Sequence, residues 1–145
     1  MNEKYSLVIY TQEKISHAAG EDLPDLLAQA ERGDTIWLTI NGYSVADRDV
    51  FAQLFSFFDI DLSLADDIVD ETRPHFMGET KQYLFIDSSI PYPDSHGDTY
   101  SFGRGTVILN RRAVILFDRD CSGYFDPTRN KILAGNTRAQ EFGPD

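Results

Sequence analysis

Residues Leu62 to Ile86 read LSLADDIVDETRPHFMGETKQYLFI, and the change of pattern inside this stretch decides the fold. Its first half has helical spacing, with Leu64, Ile68 and Val69 on an inward side and Asp67, Asp70 and Glu71 free to face outward. Ser63 followed by Asp66 has the spacing of a helix-capping pair. Arg73-Pro74 ends the helix, because proline pushes the residue before it out of helical angles. The second half is extended and finishes in Tyr83-Leu84-Phe85-Ile86. Spacing by four pairs Asp66 with Asp70 and Asp67 with Glu71, like charges that weaken a helix by roughly a few tenths of a kcal/mol per pair. Two readings follow. The carboxylates form a solvated face near a helix start, where the macrodipole tolerates them, or they form a face whose repulsion a bound cation offsets.

Working outward, Tyr5 to Thr11 reads as a first strand. Asp22 with Pro24 opens a helix through about Glu31, closed by Gly33, with Leu23, Leu26, Leu27 and Ala30 as its apolar face. Thr35 to Ile40 is a second strand in which Trp37 and Thr39 alternate against Ile36, Leu38 and Ile40. After the Asn41-Gly42 turn, Ser44 and Asp47 form a capping box for a helix whose stripe of Val50, Phe51, Leu54, Phe55 and Phe58 belongs to the core. Downstream of the acidic helix the pattern is a meander: a strand from Lys81 to Ser89, a polar loop from Pro91 to Asp98, a strand from Thr99 to Asn110, a tight turn, and a strand from Ala113 to Asp118. Gly103 and Gly105 sit inside a strand pattern, which excludes a phosphate loop and marks a bulge. Asp126-Pro127 starts a last helix running to Gly135, with Asp126 as its cap. Helices interleaved with antiparallel neighbours predict one α/β domain over residues 1–145, a mixed parallel and antiparallel sheet layered between helices.

Composition narrows the function. The 145 residues are 41% hydrophobic and 12% aromatic, enough for one domain with a sizeable core. The formal net charge of -11 argues against binding nucleic acid, which needs basic residues to displace phosphate counterions. It equally disfavours an anionic membrane surface and suits cations or basic partners. Cys121 is the single cysteine, so no intrachain disulfide forms, and a reducing compartment fits. His17, His75 and His96 are scattered without ligand spacing and read as exposed polar residues or isolated side chains rather than metal ligands. No Ser-His or Cys-His arrangement is recognisable, so the chain does not read as an enzyme. No stretch approaches the ~20 apolar residues of a membrane span. Gly143-Pro144-Asp145 reads as the start of a further helix, which is expected to continue in a longer polypeptide.

The order Ile36-Trp37-Leu38-Thr39-Ile40-Asn41-Gly42, Asp66-Asp67-Ile68, Arg73-Pro74, Tyr83-Leu84-Phe85-Ile86 and Phe125-Asp126-Pro127-Thr128-Arg129 resembles the N-terminal cytoplasmic domain of the CorA family of divalent-cation transporters. The resemblance covers about residues 35 to 145. It implies a domain on the cytoplasmic face of the inner membrane, with a stalk helix and transmembrane part lying beyond this chain and the full-length protein a homopentamer. It further implies transport of Mg2+, Co2+ or Ni2+, and a regulatory Mg2+ site between subunits with Asp66 and Asp67 as this chain's ligands. Matching the family's Glu-Asp-Ile to Asp66-Asp67-Ile68 gives that pair, whereas matching from Arg73-Pro74 gives Ala65 and Asp66; Asp66 is common to both. The alternatives are a domain of a related zinc transporter and a stand-alone acidic binding or scaffold domain.

Overall fold

A computed structural model describes residues 3–31, 34–94 and 96–135. The strands are β1 (Tyr5–Tyr10), β2 (Ile15–Gly20), β3 (Thr35–Asn41), β4 (Met77–Glu79), β5 (Tyr83–Pro93), β6 (Tyr100–Asn110) and β7 (Ala113–Asp118), and the helices are α1 (Leu23–Leu27), α2 (Arg48–Phe57), α3 (Ser63–Val69) and α4 (Asp126–Leu133). They form one sheet in the order β2-β1-β3-β7-β6-β5-β4. β3 and β7 pair in parallel, Ile36 opposite Ala113 through Asn41 opposite Asp118, and the other neighbours are antiparallel. The mixed sheet and its two helical layers match the architecture expected from the sequence.

Strand alternation divides the core. Ile36, Leu38 and Ile40 of β3 and Ala113, Ile115 and Phe117 of β7 face a large apolar layer with α1, α2 and α3. Trp37, Val114 and Leu116 face the other way, onto Val8, Tyr10 and Ile132 of α4. Central strands covered on both sides carry unbroken apolar runs, and β7 is buried at all six positions. The phenylalanine stripe of α2 is core, as its spacing predicts: Phe51 and Phe55 are fully buried. On the α4 side, Met77, Leu84 and Ile86 stay exposed.

Several local expectations change. β2 has no apolar alternation to announce it; ISHAAG pairs with β1 along the sheet edge with half of its residues exposed and none buried. α1 stops at Leu27, short of Glu31, although Asp22 does cap it by accepting from the Asp25 amide at 3.0 Å. Gly33 and the last ten residues, including Gly143-Pro144-Asp145, lie outside the described residues. β5 runs on to Pro93, so the expected loop from Pro91 shrinks toward the hairpin tip. No bulge occurs at Gly103 and Gly105, where pairing with β5 is regular. These glycines leave room for neighbours: a Cβ on Gly105 would sit 2.0 Å from Ile90 Cδ1, and one on Gly103 2.6 Å from Asp120 Oδ2. Asp126 is the first residue of α4 rather than its cap, and pairs with Arg129 at 3.3 Å.

α4 is fastened to the sheet edge through Ser6. Its hydroxyl lies 2.9 Å from His17 Nε2 and accepts from Arg129 Nη1 at 3.5 Å. Partial desolvation first, and the Arg129 charge second, lower the pKa of His17 against the opposing pull of Glu3. A basic group with a lowered folded pKa takes up its proton more readily in the unfolded chain. Stability is therefore expected to decline as pH falls through the unfolded value of about 6.5. Urea midpoints between neutral pH and mildly acidic pH should show this decline, with a shallower slope in His17→Gln. Equal slopes would remove His17 from the account.

Candidate functional site

The acidic helix sits on the edge of the large apolar layer. Leu64, Ala65, Ile68 and Val69 are buried, which turns the carboxylates outward as the spacing predicts. The cap is supplied from upstream of the expected pair, since the Ser63 amide donates to Asp61 Oδ1 at 2.9 Å. α3 ends at Val69, and Asp70 is already extended. The two expected four-residue carboxylate pairs therefore do not stack along a helix. The Asp70 carboxylate turns onto Thr72, accepting from its hydroxyl at 2.7 Å and its amide at 2.9 Å, and these bonds lower its pKa.

Asp66 and Asp67 are adjacent on α3 and point apart, successive helical residues being about 100° from each other. Asp66 faces α2, where Arg48 Nε donates to Oδ1 at 2.8 Å; that hydrogen bond lowers the Asp66 pKa. Asp67 faces the helix exit and lies 3.2 Å from Arg73 Nη1. Each candidate ligand thus has an arginine of this chain as its counter-ion. Both pairs are open to water, where solvent screening leaves such an ion pair little net stabilising effect. Among the described residues no group of three or more His, Cys, Asp or Glu side chains is gathered to hold a metal.

Beneath the helix exit lies a polar cluster that sequence reading missed. Asp87 of β5 has a side chain only 1% exposed, and Arg104 of β6 one 13% exposed. Arg104 Nε donates to both Asp87 oxygens at 2.9 and 3.1 Å, and Thr106 Oγ1 donates at 2.8 Å. His75 bridges the Asp87 carboxylate, 2.8 Å from Nδ1, and the Ser89 hydroxyl, 2.9 Å from Nε2. The order Ser-His-Asp is that of a nucleophilic triad, but the Asp87 charge is already matched by the Arg104 guanidinium. What the surrounding guanidiniums do here is anchor the backbone. Arg104 Nη1 donates to the Arg73 carbonyl at 2.5 Å, and Arg119 Nη2 to the Ile68 carbonyl at 2.6 Å. These bonds fix both the last turn of α3 and the segment leaving it. The signal was present in the alternation of Tyr83, Phe85 and Asp87, which puts a carboxylate on an inward face where a partner is obligatory.

The molecule defined by these features is a layered α/β domain with a mixed seven-stranded sheet and an exposed carboxylate helix anchored to it. Solved structures share the layered α/β fold. The full-length CmaX protein aligns with a TM-score of 0.62 at 12% identity, over 93% of this chain and 41% of its own length. The CorA magnesium transporter of Methanocaldococcus jannaschii gives 0.59 at 12% identity, over 90% of this chain and 37% of the transporter. The soluble domain of CorA from the same organism gives 0.56 at 12% identity, over 88% of this chain and 46% of that one. This chain has the fold of the CorA soluble domain, and it spans less than half the length of these proteins. No protein-family model and no curated protein matches the sequence.

Proposed function

We propose that this chain is the cytoplasmic regulatory domain of a CorA-like divalent-cation transporter, and that α3 brings Asp66 and Asp67 to a regulatory Mg2+ site completed by a neighbouring copy. The observation that carries the reading is the shared fold over about nine-tenths of the chain, in proteins titled as CorA. The donor set supports it in kind, because magnesium takes hard oxygen ligands, keeps several waters and is commonly held by one or two carboxylates. In number a single copy falls short, since Asp66 and Asp67 point apart and no group of three metal-ligating side chains is gathered among its described residues. Binding that needs a second subunit stabilises whichever quaternary arrangement brings the ligands together, by the difference in affinity between the two states.

Within one copy, Arg48 and Arg73 already neutralise the two carboxylates, so a cation must displace a guanidinium to reach them. The isolated chain is therefore expected to bind Mg2+ weakly. In the full-length protein Asp66→Asn removes the charge and nearly keeps the shape, and should raise the Mg2+ concentration that protects against protease. Asp70→Asn should leave it near wild type, because that carboxylate is occupied by Thr72. A wild-type midpoint in the Asp66→Asn protein would return α3 to a solvated acidic face.

A further inference from the structure

The groove between α1 and α2 has no part in the proposed metal site. It is an apolar trough of about 360 Å³ whose lining includes Leu23, Leu27, Ala28, Val50, Leu54 and Phe57. β2 and β3 are both antiparallel to β1, so they finish on the same side of the sheet, and α1 and α2 start there. Two acidic groups at that end are already engaged: Asp22 caps α1, and Asp49 pairs with Arg48. Phe57, the last residue of α2, forms the other end. Arg112 meets it there. The Arg112 carbonyl accepts from the Ile36 amide at the start of β3 at 2.9 Å, and the guanidinium stands over the Phe57 and Phe58 rings, 5.4 Å from each centroid.

Nε and Nη2 of this guanidinium are buried and have no hydrogen-bond partner among the described residues. Buried donors without an acceptor are costly and rare. The carboxylate at this end of β3, Asp34, is turned instead to the Glu31 amide at 2.8 Å. Nε and Nη2 together form the edge of an arginine that takes a carboxylate through two parallel bonds. An apolar trough with an unpaired arginine at one end suits an amphiphile with an anionic head. Length sets its scale. From Val50 to Phe57 the trough follows about 10 Å of α2, the reach of an extended chain of about eight carbons. A helix long enough to hold its shape, about 12–15 residues, would run about twice as far. We infer that the groove between α1 and α2 binds a medium-chain fatty acid. Its alkyl chain lies along Val50, Leu54 and Phe57, and its carboxylate takes the Nε–Nη2 edge of Arg112 as the half-exposed Phe57 ring turns aside.

Octanoate and octan-1-ol are the probes, each titrated into the whole chain and followed by amide NMR shifts. Octanoate should move the amides of α1 and of Val50 to Phe57, and should bind at least about fivefold more tightly than the alcohol. Arg112→Met keeps an apolar stem against both rings. It should lower octanoate to the affinity of the alcohol and leave the alcohol unchanged. Arg111→Met removes the same charge at the exposed neighbouring position and should leave both probes at their wild-type affinities. Ala28 lines the trough and is exposed, so Ala28→Trp fills it without removing a core side chain and should weaken both probes at least about tenfold. Equal losses of octanoate in Arg112→Met and Arg111→Met would mean only general attraction to positive charge, and would overturn the inference. Octanoate no tighter than the alcohol, or no shifts along the groove, would overturn it as well. A reversible dimer in sedimentation that Ala28→Trp abolishes would do the same, by giving the groove to a second copy.

Discussion

Asp87→Ala is expected to lower the stability of the domain by about 3–5 kcal/mol, the usual cost of leaving one partner of a buried ion pair uncompensated. Asp87 is the meeting point of Arg104, Thr106 and His75. Without it the Arg104 charge stays in a largely dry site. Its bond to the Arg73 carbonyl survives and places the loss toward the lower end of that range. Asp87→Asn keeps the shape and can still accept from Thr106, so it should lose less. Replacing both partners by apolar residues, as in Asp87→Leu with Arg104→Met, should cost less than Asp87→Ala alone, since no charge is then stranded. Urea unfolding measures all three. Hydrogen exchange adds a positional readout: amides around Arg73 to Phe76 should exchange faster in Asp87→Ala. An unchanged urea midpoint for Asp87→Ala would show that the cluster does not hold the helix exit.

Phe117→Ala should be similarly damaging, at about 3–5 kcal/mol. The Phe117 ring is fully buried, and it meets Phe51 at 5.0 Å, Tyr43 at 5.8 Å and Phe55 at 6.1 Å, all edge to face. Removing it opens a cavity where β7 supports α2, and three aromatic contacts vanish with it. Against a typical domain stability of about 5–15 kcal/mol, that loss is a large fraction. Phe117→Leu retains most of the volume and should cost distinctly less. The urea midpoint should fall while the slope of the transition stays constant, because the surface exposed on unfolding hardly changes. A Phe117→Ala protein with a wild-type midpoint would mean that the aromatic layer repacks around the vacancy.

The parts of the fold legible in the sequence are those where burial imposes a period. Trp37 and Thr39 opposed to Ile36, Leu38 and Ile40 gave both faces of β3, and the stripe from Val50 to Phe58 gave the buried side of α2. The capping box of Ser44 and Asp47 is present, with the Ala46 amide donating to Ser44 Oγ and the Ser44 amide to Asp47 Oδ2. It caps a 3-10 turn (Val45–Asp47) leading into α2, which itself starts at Arg48 without a side-chain cap. β2 escaped because an exposed edge strand has no apolar face to keep. The helix at Asp66 was legible, but its end was placed by Pro74, whereas the backbone leaves helical angles at Asp70, where Thr72 offers the carboxylate local hydrogen bonds. For the site, sequence identified the carboxylates and not their counter-ions. Arg48 and Arg73 look like ordinary surface cations until folding sets them beside Asp66 and Asp67, and Arg104 reaches Asp87 only through the pairing of β5 with β6.

The parallel pairing of β3 with β7 has a kinetic consequence. Everything from α2 to β6 is a long excursion between two strands that end as neighbours, and α2 and α3 have no complete underside until Ala113 to Asp118 is inserted. A chain emerging from the ribosome can close the β1–β2 hairpin and add β3 early, while its phenylalanine-rich helix waits for the last strand of the sheet. Such non-local closure slows folding and prolongs the life of exposed apolar intermediates. Nascent chains stalled before β7 should therefore engage chaperones through α2 and β3, and chains released just beyond Asp118 should let go of them.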